Sequence, residues 1–278
     1  MAIATADIAT LRAVLPPEAA ERIVGLGVAA PGNMGSWLDE LDIPYAAYRA
    51  WNGFDLRARL EGATGFAVQL ENDGTAATVA ELFQGRGRQL NDFVYVFVGS
   101  ALGGGVVLGG DCHRGAHGNA GDIGLMPTSP SLLSTALRDQ GRPDIVLTRG
   151  SINALIRHLH NSGVPIASRS DLDAALALHA GLVEEWLDDC ADALVVPLLS
   201  AAAVLDVDAV VLDGDLPRPV LQSLILRLQD QLAAAVAEER SPPPVVLGRI
   251  GRQAAAIGAA ILPLHANYSP NRGVLLGR

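Results

Sequence analysis

The run Phe93-Val-Tyr-Val-Phe-Val98 passes directly into Gly99-Ser-Ala-Leu-Gly-Gly-Gly105 and then into Val106-Val-Leu108. Six apolar residues with no polar interruption suit a central strand buried on both faces. The glycines, followed by a second apolar run, predict a hairpin whose return strand is Val106–Leu108. Upstream, Ile23–Ala29 reads as a strand ended by the turn pair Pro31-Gly32. Phe54–Leu60 reads as a short helix and Phe66–Glu71 as a strand. Asn72-Asp73-Gly74 interrupts that strand and opens a helix through Leu82, with Ala76, Val79, Ala80 and Phe83 on one face. Downstream, a loop rich in Gly, His and Asp runs from Gly110 to about Pro130. Ser151–Asp206 is mostly helical, with a break at Gly163-Val164-Pro165. Ala209–Leu212 is a buried strand ended by Asp213-Gly214-Asp215. Val220–Glu239 reads as a helix, Val245–Leu247 as a strand and Gln253–Ile261 as a helix of small residues. Short β-branched runs alternating with helices predict an α/β layer fold.

Composition narrows the chemistry. The chain has 278 residues, half of them hydrophobic, and a net charge of -10. That length hides about three quarters of the unfolded chain's surface on folding, enough for one large domain or two lobes. All 20 basic residues are Arg. The absence of Lys excludes Schiff-base chemistry, a lysine general base and a Walker-type phosphate lysine. The acidic balance disfavours nucleic acid. Cys112 and Cys190 cannot form a disulfide framework and point to a reducing compartment. Met1–Pro16 lacks a signal peptide's basic and apolar regions, and the longest apolar run, Ala193–Leu205, is too short to span a bilayer. A cytoplasmic protein without a membrane anchor is expected.

Three places could carry chemistry. Glu71-Asn72-Asp73 lies where a strand gives way to a helix, the edge at which open α/β sheets bind ligands. A carboxylate there can serve as general base, or Asp73 can simply cap the helix. The glycines from Gly99 to Gly105 let backbone N–H groups approach phosphate oxygens, or merely shape a hairpin. Cys112, His113, His117 and Asp122 crowd into one loop, yet no second Cys lies near and no metal site is expected. The helices Ile152–His160 and Asp171–Leu178 mimic a helix-turn-helix, but Asp171 and Asp173 would repel phosphates, so a packed hairpin is expected.

Together these segments resemble the ROK family, which groups bacterial sugar kinases with sugar-responsive transcriptional repressors. The resemblance runs from about Ile23 to Leu262. Gly115-Ala-His-Gly-Asn-Ala-Gly-Asp-Ile-Gly-Leu-Met126 is similar to the family's glycine-rich sugar-site signature. Glu71-Asn-Asp-Gly-Thr-Ala-Ala77 resembles its Asn-Asp segment, Gly99–Gly105 its second phosphate loop, Val210-Val-Leu-Asp-Gly214 its strand and turn near the adenosine, and Val28-Ala-Ala-Pro-Gly32 its sugar-side turn. The resemblance implies an actin-like, ribonuclease H-like ATPase fold. Residues 1–92 would form the remainder of an N-terminal lobe that lacks the family's first hairpin and its Asp-Gly-Gly-Thr loop, and residues 93–278 a C-terminal lobe. It implies that Asp73 is the base for a sugar hydroxyl. Sugar would be contacted by Pro31, Gly32, Asn72, Asp73 and Asp122, the last in place of the family's Glu. ATP would be contacted by Gly99, Ser100, Gly103, Gly104, Gly105, Asp213 and Gly214.

The departures shape the expected function. Leu125 occupies the family's sugar- and zinc-binding histidine, no cysteine cluster follows, and Ala101 replaces a phosphate-loop glycine. Only Asp139 and Asp144 stand between Met126 and Ser151 as counterparts for a second sugar-binding acid. Phosphoryl transfer depends on clamping phosphate charge, whereas sugar binding needs only hydrogen bonds to hydroxyls. The expectation is therefore a carbohydrate-sensing domain of a transcriptional regulator, with a sugar or amino-sugar effector, a homodimeric assembly and no structural zinc. The alternative is an ATP- and Mg-dependent sugar kinase of glucokinase or amino-sugar kinase type, with Asp73 as base.

Overall fold

A computed structural model describes residues 1–32, 38, 44–48, 51, 53–137, 143–236 and 241–268. The stretch 93–98 is β3 (Phe93–Val98), the middle strand of a five-stranded sheet. On one side it pairs antiparallel with β4 (Leu102–Leu108), which pairs with β5 (Asp111–His113). On the other it pairs parallel with β6 (Ala209–Gly214), which pairs with β7 (Val245–Leu247). Alternation along β3 explains its uninterrupted apolar run. Val94, Val96 and Val98 enter one core cluster, while Phe93 and Tyr95 enter another on the opposite face.

The valine face is covered by helices from the second half of the chain. These are α6 (Val146–Gly150), α7 (Ile152–Asn161), α8 (Arg169–Leu178), α9 (Ala180–Leu205) and α10 (Arg218–Ala235). The would-be helix-turn-helix is α7 and α8, and Leu155, Leu159 and Leu172 bury their apolar faces in the core shared with α9. Asp171 is spent locally: it closes a capping box with Ser168 at the start of α8. Arg149 is buried and holds this layer together. It bonds both oxygens of Asp189 at 2.6 and 3.2 Å and reaches Asp192 at 2.8 Å and the Ser129 carbonyl at 2.8 Å.

A second, two-stranded sheet pairs β1 (Leu26–Ala30) parallel with β2 (Val68–Asn72). It is preceded by α1 (Ala2–Ala13) and α2 (Pro17–Ala20), and α3 (Tyr45–Tyr48) and α4 (Leu56–Thr64) lie between its strands in sequence. The aromatic face of the large sheet meets α5 (Asp73–Gln84) and α11 (Ala254–Tyr268). The small residues of α11 serve contact with backbone: a Cβ on Gly258 would overlap the Ala76 carbonyl of α5, and one on Gly27 of β1 would overlap the Ala259 carbonyl. The last helix thereby ties the small sheet to α5.

Several sequence expectations need correction. Gly103, Gly104 and Gly105 are not turn residues; they belong to β4 and pair with Phe97, Val96 and Tyr95, which leaves a turn of Gly99–Ala101. The cap of α5 is Asn72, not Asp73, because the Asn72 side chain accepts the Gly74 and Thr75 N–H groups. Phe83 is half exposed and meets His265 edge-on at 5.3 Å instead of joining the buried face of Ala76, Val79 and Ala80. The Gly-His-Asp loop contains β5 and a 3-10 turn at Ile123–Leu125. The expected end of the 220–239 helix at Glu239 lies outside the described residues, as does Asp139.

Candidate functional site

A cleft of about 450 Å3 opens between the C-terminal end of β2, the start of α5, the Gly99–Gly104 segment and the loop 118–122. Of the residues expected to bind sugar, Pro31, Gly32, Asn72, Asp73 and Asp122 all line it, and of those expected at phosphate, Gly99, Ser100, Gly103 and Gly104 do. Gly105, Asp213 and Gly214 lie behind its lining. Among the lining residues that the sequence reading did not assign to a site are Tyr48, Asn153, Asp215 and Arg252. Asp215 stands in the Asp-Gly-Asp turn already singled out, and Arg252 follows Gly251 (φ +75°), so turn chemistry was the available signal. Tyr48 and Asn153 carried none.

The cleft is assembled by glycines packed against backbone. A Cβ on Gly74 would come within 2.7 Å of the Gly104 carbonyl oxygen. Gly121 (φ +88°) sits so close to Gly105 that any side chain would overlap its backbone. These approaches bring Asp73, the glycine strand and Asp122 into one place. Across the cleft wall, Glu71 pairs with Arg114 at 2.7 Å, joining β2 to the loop that leads to Asp122. The turn Gly99–Ala101 rests on the start of α7, where the Ile152 N–H donates to the Gly99 carbonyl at 2.8 Å.

Within this frame Asn72 and Asp73 have different tasks. Asn72 Oδ1 accepts from Gly74 N–H at 2.9 Å and Thr75 N–H at 3.3 Å, which fixes the side chain. A Cβ on Gly32 would sit 3.3 Å from its Nδ2, so the Pro31-Gly32 turn closes over this amide. Among the described residues, Asp73 Oδ1 accepts the adjacent Gly74 N–H, at 2.9 Å, and no other group. Burial raises the Asp73 carboxyl above the ordinary 3.8, against a smaller lowering by backbone hydrogen bonds. Asp122 is raised too, by burial first and by the charge of Asp73 second. Two carboxylates that sense one another in a half-buried cleft suit a ligand that donates hydrogen bonds.

At the far end, Asp213 is fully buried and accepts the Gly251 N–H at 2.7 Å and the Gly214 N–H at 3.0 Å. Glu81 of α5 is equally buried and accepts the N–H groups of Arg86, Arg249 and Ile250. Together they pin the loop that presents Arg252 to the cleft. Elsewhere, Cys112 is buried in β5 and its thiol is pushed up to about 11, a core side chain and not a nucleophile. Asp144 accepts the Ser131 N–H at 3.0 Å and shapes its own loop. Among the described residues no group of three or more His, Cys, Asp or Glu could hold a metal ion. Among the same residues, no helix is long and apolar enough to cross a membrane.

Comparison with known proteins sharpens this picture. The ROK family profile matches residues 5–266. A β-glucoside kinase of Listeria monocytogenes is 35% identical over 104 residues, which are 37% of this chain and 35% of that protein. A putative xylose repressor of Caldicellulosiruptor is 28% identical over 152 residues, 53% of this chain and 37% of that one. The solved ROK hexokinase of Thermus thermophilus superposes with a TM-score of 0.62 at 27% identity, covering 88% of this chain and 81% of its own. The chain spans 57% and 35% of the length of the first curated relatives it matches.

Proposed function

The chain belongs to the ROK family, with its actin-like ATPase fold, and from that premise we propose that it binds a sugar in the cleft as the carbohydrate-sensing body of a regulator. The observation that carries this reading is the convergence of Asn72, Asp73 and Asp122 on one cleft, where among the described residues the Asp73 side chain accepts the Gly74 N–H alone. A sugar hydroxyl that donates to Asp73 and another that donates to Asp122 would satisfy both. Ring oxygens and further hydroxyls would meet Asn72 Nδ2 and backbone N–H groups of the 118–122 loop. Residues 1–92 and 93–278 are proposed as the two lobes, which close on the sugar and pass that motion to a DNA-binding partner or segment. Homodimeric assembly and a cytoplasmic location belong to the same proposal. The regulator reading is supported by Leu125, Ala101 and the absence of Lys, each of which weakens a phosphate or zinc element, and by the likeness to a protein named a xylose repressor.

One observation favours a second reading, an ATP-dependent sugar kinase. Asp73 stands at the start of α5 with an unshared oxygen and a raised affinity for a proton. As general base it would take the hydroxyl proton while the sugar oxygen attacks a phosphoryl group of bound ATP, and the glycine strand would lie beside the transferred phosphate. Titration calorimetry with hexoses and amino sugars, each with and without Mg-ATP, separates the readings. Sugar binding with no ADP release supports the sensor. Sugar-dependent ADP release that vanishes in Asp73→Asn promotes the kinase, and no sugar binding in any form overturns both.

A further inference from the structure

Four of the chain's twelve aromatic side chains fall within ten residues, Tyr45, Tyr48, Trp51 and Phe54. In a protein with only 4% aromatics, such a concentration is expected in the core. Here it is at the surface: Tyr45 is 58% exposed and Trp51 42%, while Phe54 meets Trp51 edge-on at 5.4 Å. The cluster is also continuous with the cleft. Tyr48 lines it together with Leu38 and Pro31, and Pro31 precedes the Gly32 turn that closes over Asn72. The sugar end of the cleft therefore has a polar floor of carboxylate and amide and an apolar side wall that leads outward to exposed rings.

A single hexose held by Asn72, Asp73 and Asp122 gives this wall little to do, because its hydroxyls are consumed at the floor. The apolar C–H face of a second ring, or an aromatic aglycone, suits a tyrosine and a proline that line one cleft. Exposed aromatic area beside a polar pocket is the composition of a site that takes a ligand with one wet and one apolar end. We propose that the wall Pro31–Leu38–Tyr48, with Trp51 beyond it, is a second subsite, and that the ligand is a glycoside or disaccharide in preference to a free hexose. This rests on the sugar-binding reading and names the ligand class for it.

The test is calorimetry on the intact chain with glucose, galactose, mannose and N-acetylglucosamine, each beside its methyl and phenyl α- and β-glycosides, and with cellobiose and maltose. The expected result is at least one glycoside or disaccharide binding about tenfold or more tighter than its parent hexose. A phenyl glycoside alone in that position identifies an aromatic aglycone; a disaccharide identifies a second sugar ring. Tyr48→Ala should then weaken the favoured ligand at least fivefold more than it weakens the hexose, and should leave phenyl and methyl glycosides equal. If Tyr48→Ala does not fold, Tyr48→Leu and the wild-type ranking decide. A free hexose that binds as tightly as every glycoside overturns the subsite while leaving sugar binding intact. Equal losses for hexose and glycoside in Tyr48→Ala overturn it as well. No binding of any sugar overturns both.

Discussion

Two pairs of carboxylates in this molecule share a functional group and differ in the partners the fold gives them. Glu81 and Asp213 are fully buried, and both accept backbone N–H groups of the loop 249–251, with Arg86 N–H added at Glu81 and Gly214 N–H at Asp213. Asp73 and Asp122 line an open cleft, and among the described residues the side chain of Asp73 accepts a hydrogen bond from its own neighbour Gly74. The first pair is matched because a buried charge without partners is very costly, and each of its oxygens accepts at least one N–H. The second pair is left unmatched, which the fold tolerates because water reaches it and which leaves the oxygens available to a ligand. Burial alone would have ranked Glu81 and Asp213 as the more unusual groups. Counting partners reverses the ranking and points to the cleft.

The largest effect that could break this contrast is on the matched side. Glu81→Ala leaves the N–H groups of Arg86, Arg249 and Ile250 without acceptors, and should lower stability by about 4 kcal/mol at roughly 1–3 kcal/mol per group. Urea unfolding measures the loss. Trypsin reports its location, since cleavage after Arg249 and Arg252 should accelerate before cleavage elsewhere. A loss under 1 kcal/mol would mean that Glu81 is not the keystone described here.

Next in size is the packing of β4 against α5, the helix that Asp73 opens and Glu81 belongs to. Gly105→Ala drives a Cβ into Thr78 and should cost about 2 kcal/mol, in the range of overpacked cores. Gly103 is the control, because a Cβ there has its nearest neighbour 3.8 Å away; Gly103→Ala should shift the thermal midpoint by less than a degree. Equal effects at the two positions would contradict the close approach of β4 and α5.

On the unmatched side, Asp73→Asn should weaken sugar binding at least tenfold, about 1.4 kcal/mol, while leaving the fold intact or slightly more stable. The sign follows from linkage. The folded state raises the Asp73 carboxyl above its ordinary value, so the folded chain holds this proton more tightly than the unfolded chain. Ionising Asp73 therefore costs stability as pH rises from the ordinary value through the raised one. The stability advantage of Asp73→Asn over wild type should be largest at neutral pH and shrink on acidification through that window. Sugar affinity runs the other way, falling with acid as Asp73 and Asp122 take up protons. Thermal melts and calorimetry from pH 7 to 4 compare the two slopes, and parallel slopes would refute the assignment. Smallest of all is the effect of 1 M salt on these affinities, since hydrogen bonds to a neutral sugar carry little screening.

Much of the fold was legible from the residues. The uninterrupted Phe93–Val98 run could only be satisfied by burial on two faces, and it lies at the centre of the large sheet. The Glu71–Asp73 cluster announced the cleft edge, because a strand that gives way to a helix there leaves its last side chains facing outward. What could not be read was which neighbour each residue would meet. Local rules allow either Asn72 or Asp73 to cap α5; the cap goes to Asn72 through its bonds to Gly74 and Thr75, and this leaves Asp73 for a ligand. Glycines 103–105 read as a phosphate turn or the bend of a hairpin, and their place in the strand goes with the close approach of Thr78, the Tyr95 carbonyl and Gly121, two of them 16 or more residues away. Tyr48 and Arg252 joined the site only through the approach of segments two hundred residues apart. Periodicity and turn chemistry act over a few residues and so determine elements and their ends. The partners of a carboxylate are set by long-range packing, and that is where the division between structural and ligand-binding acids is decided.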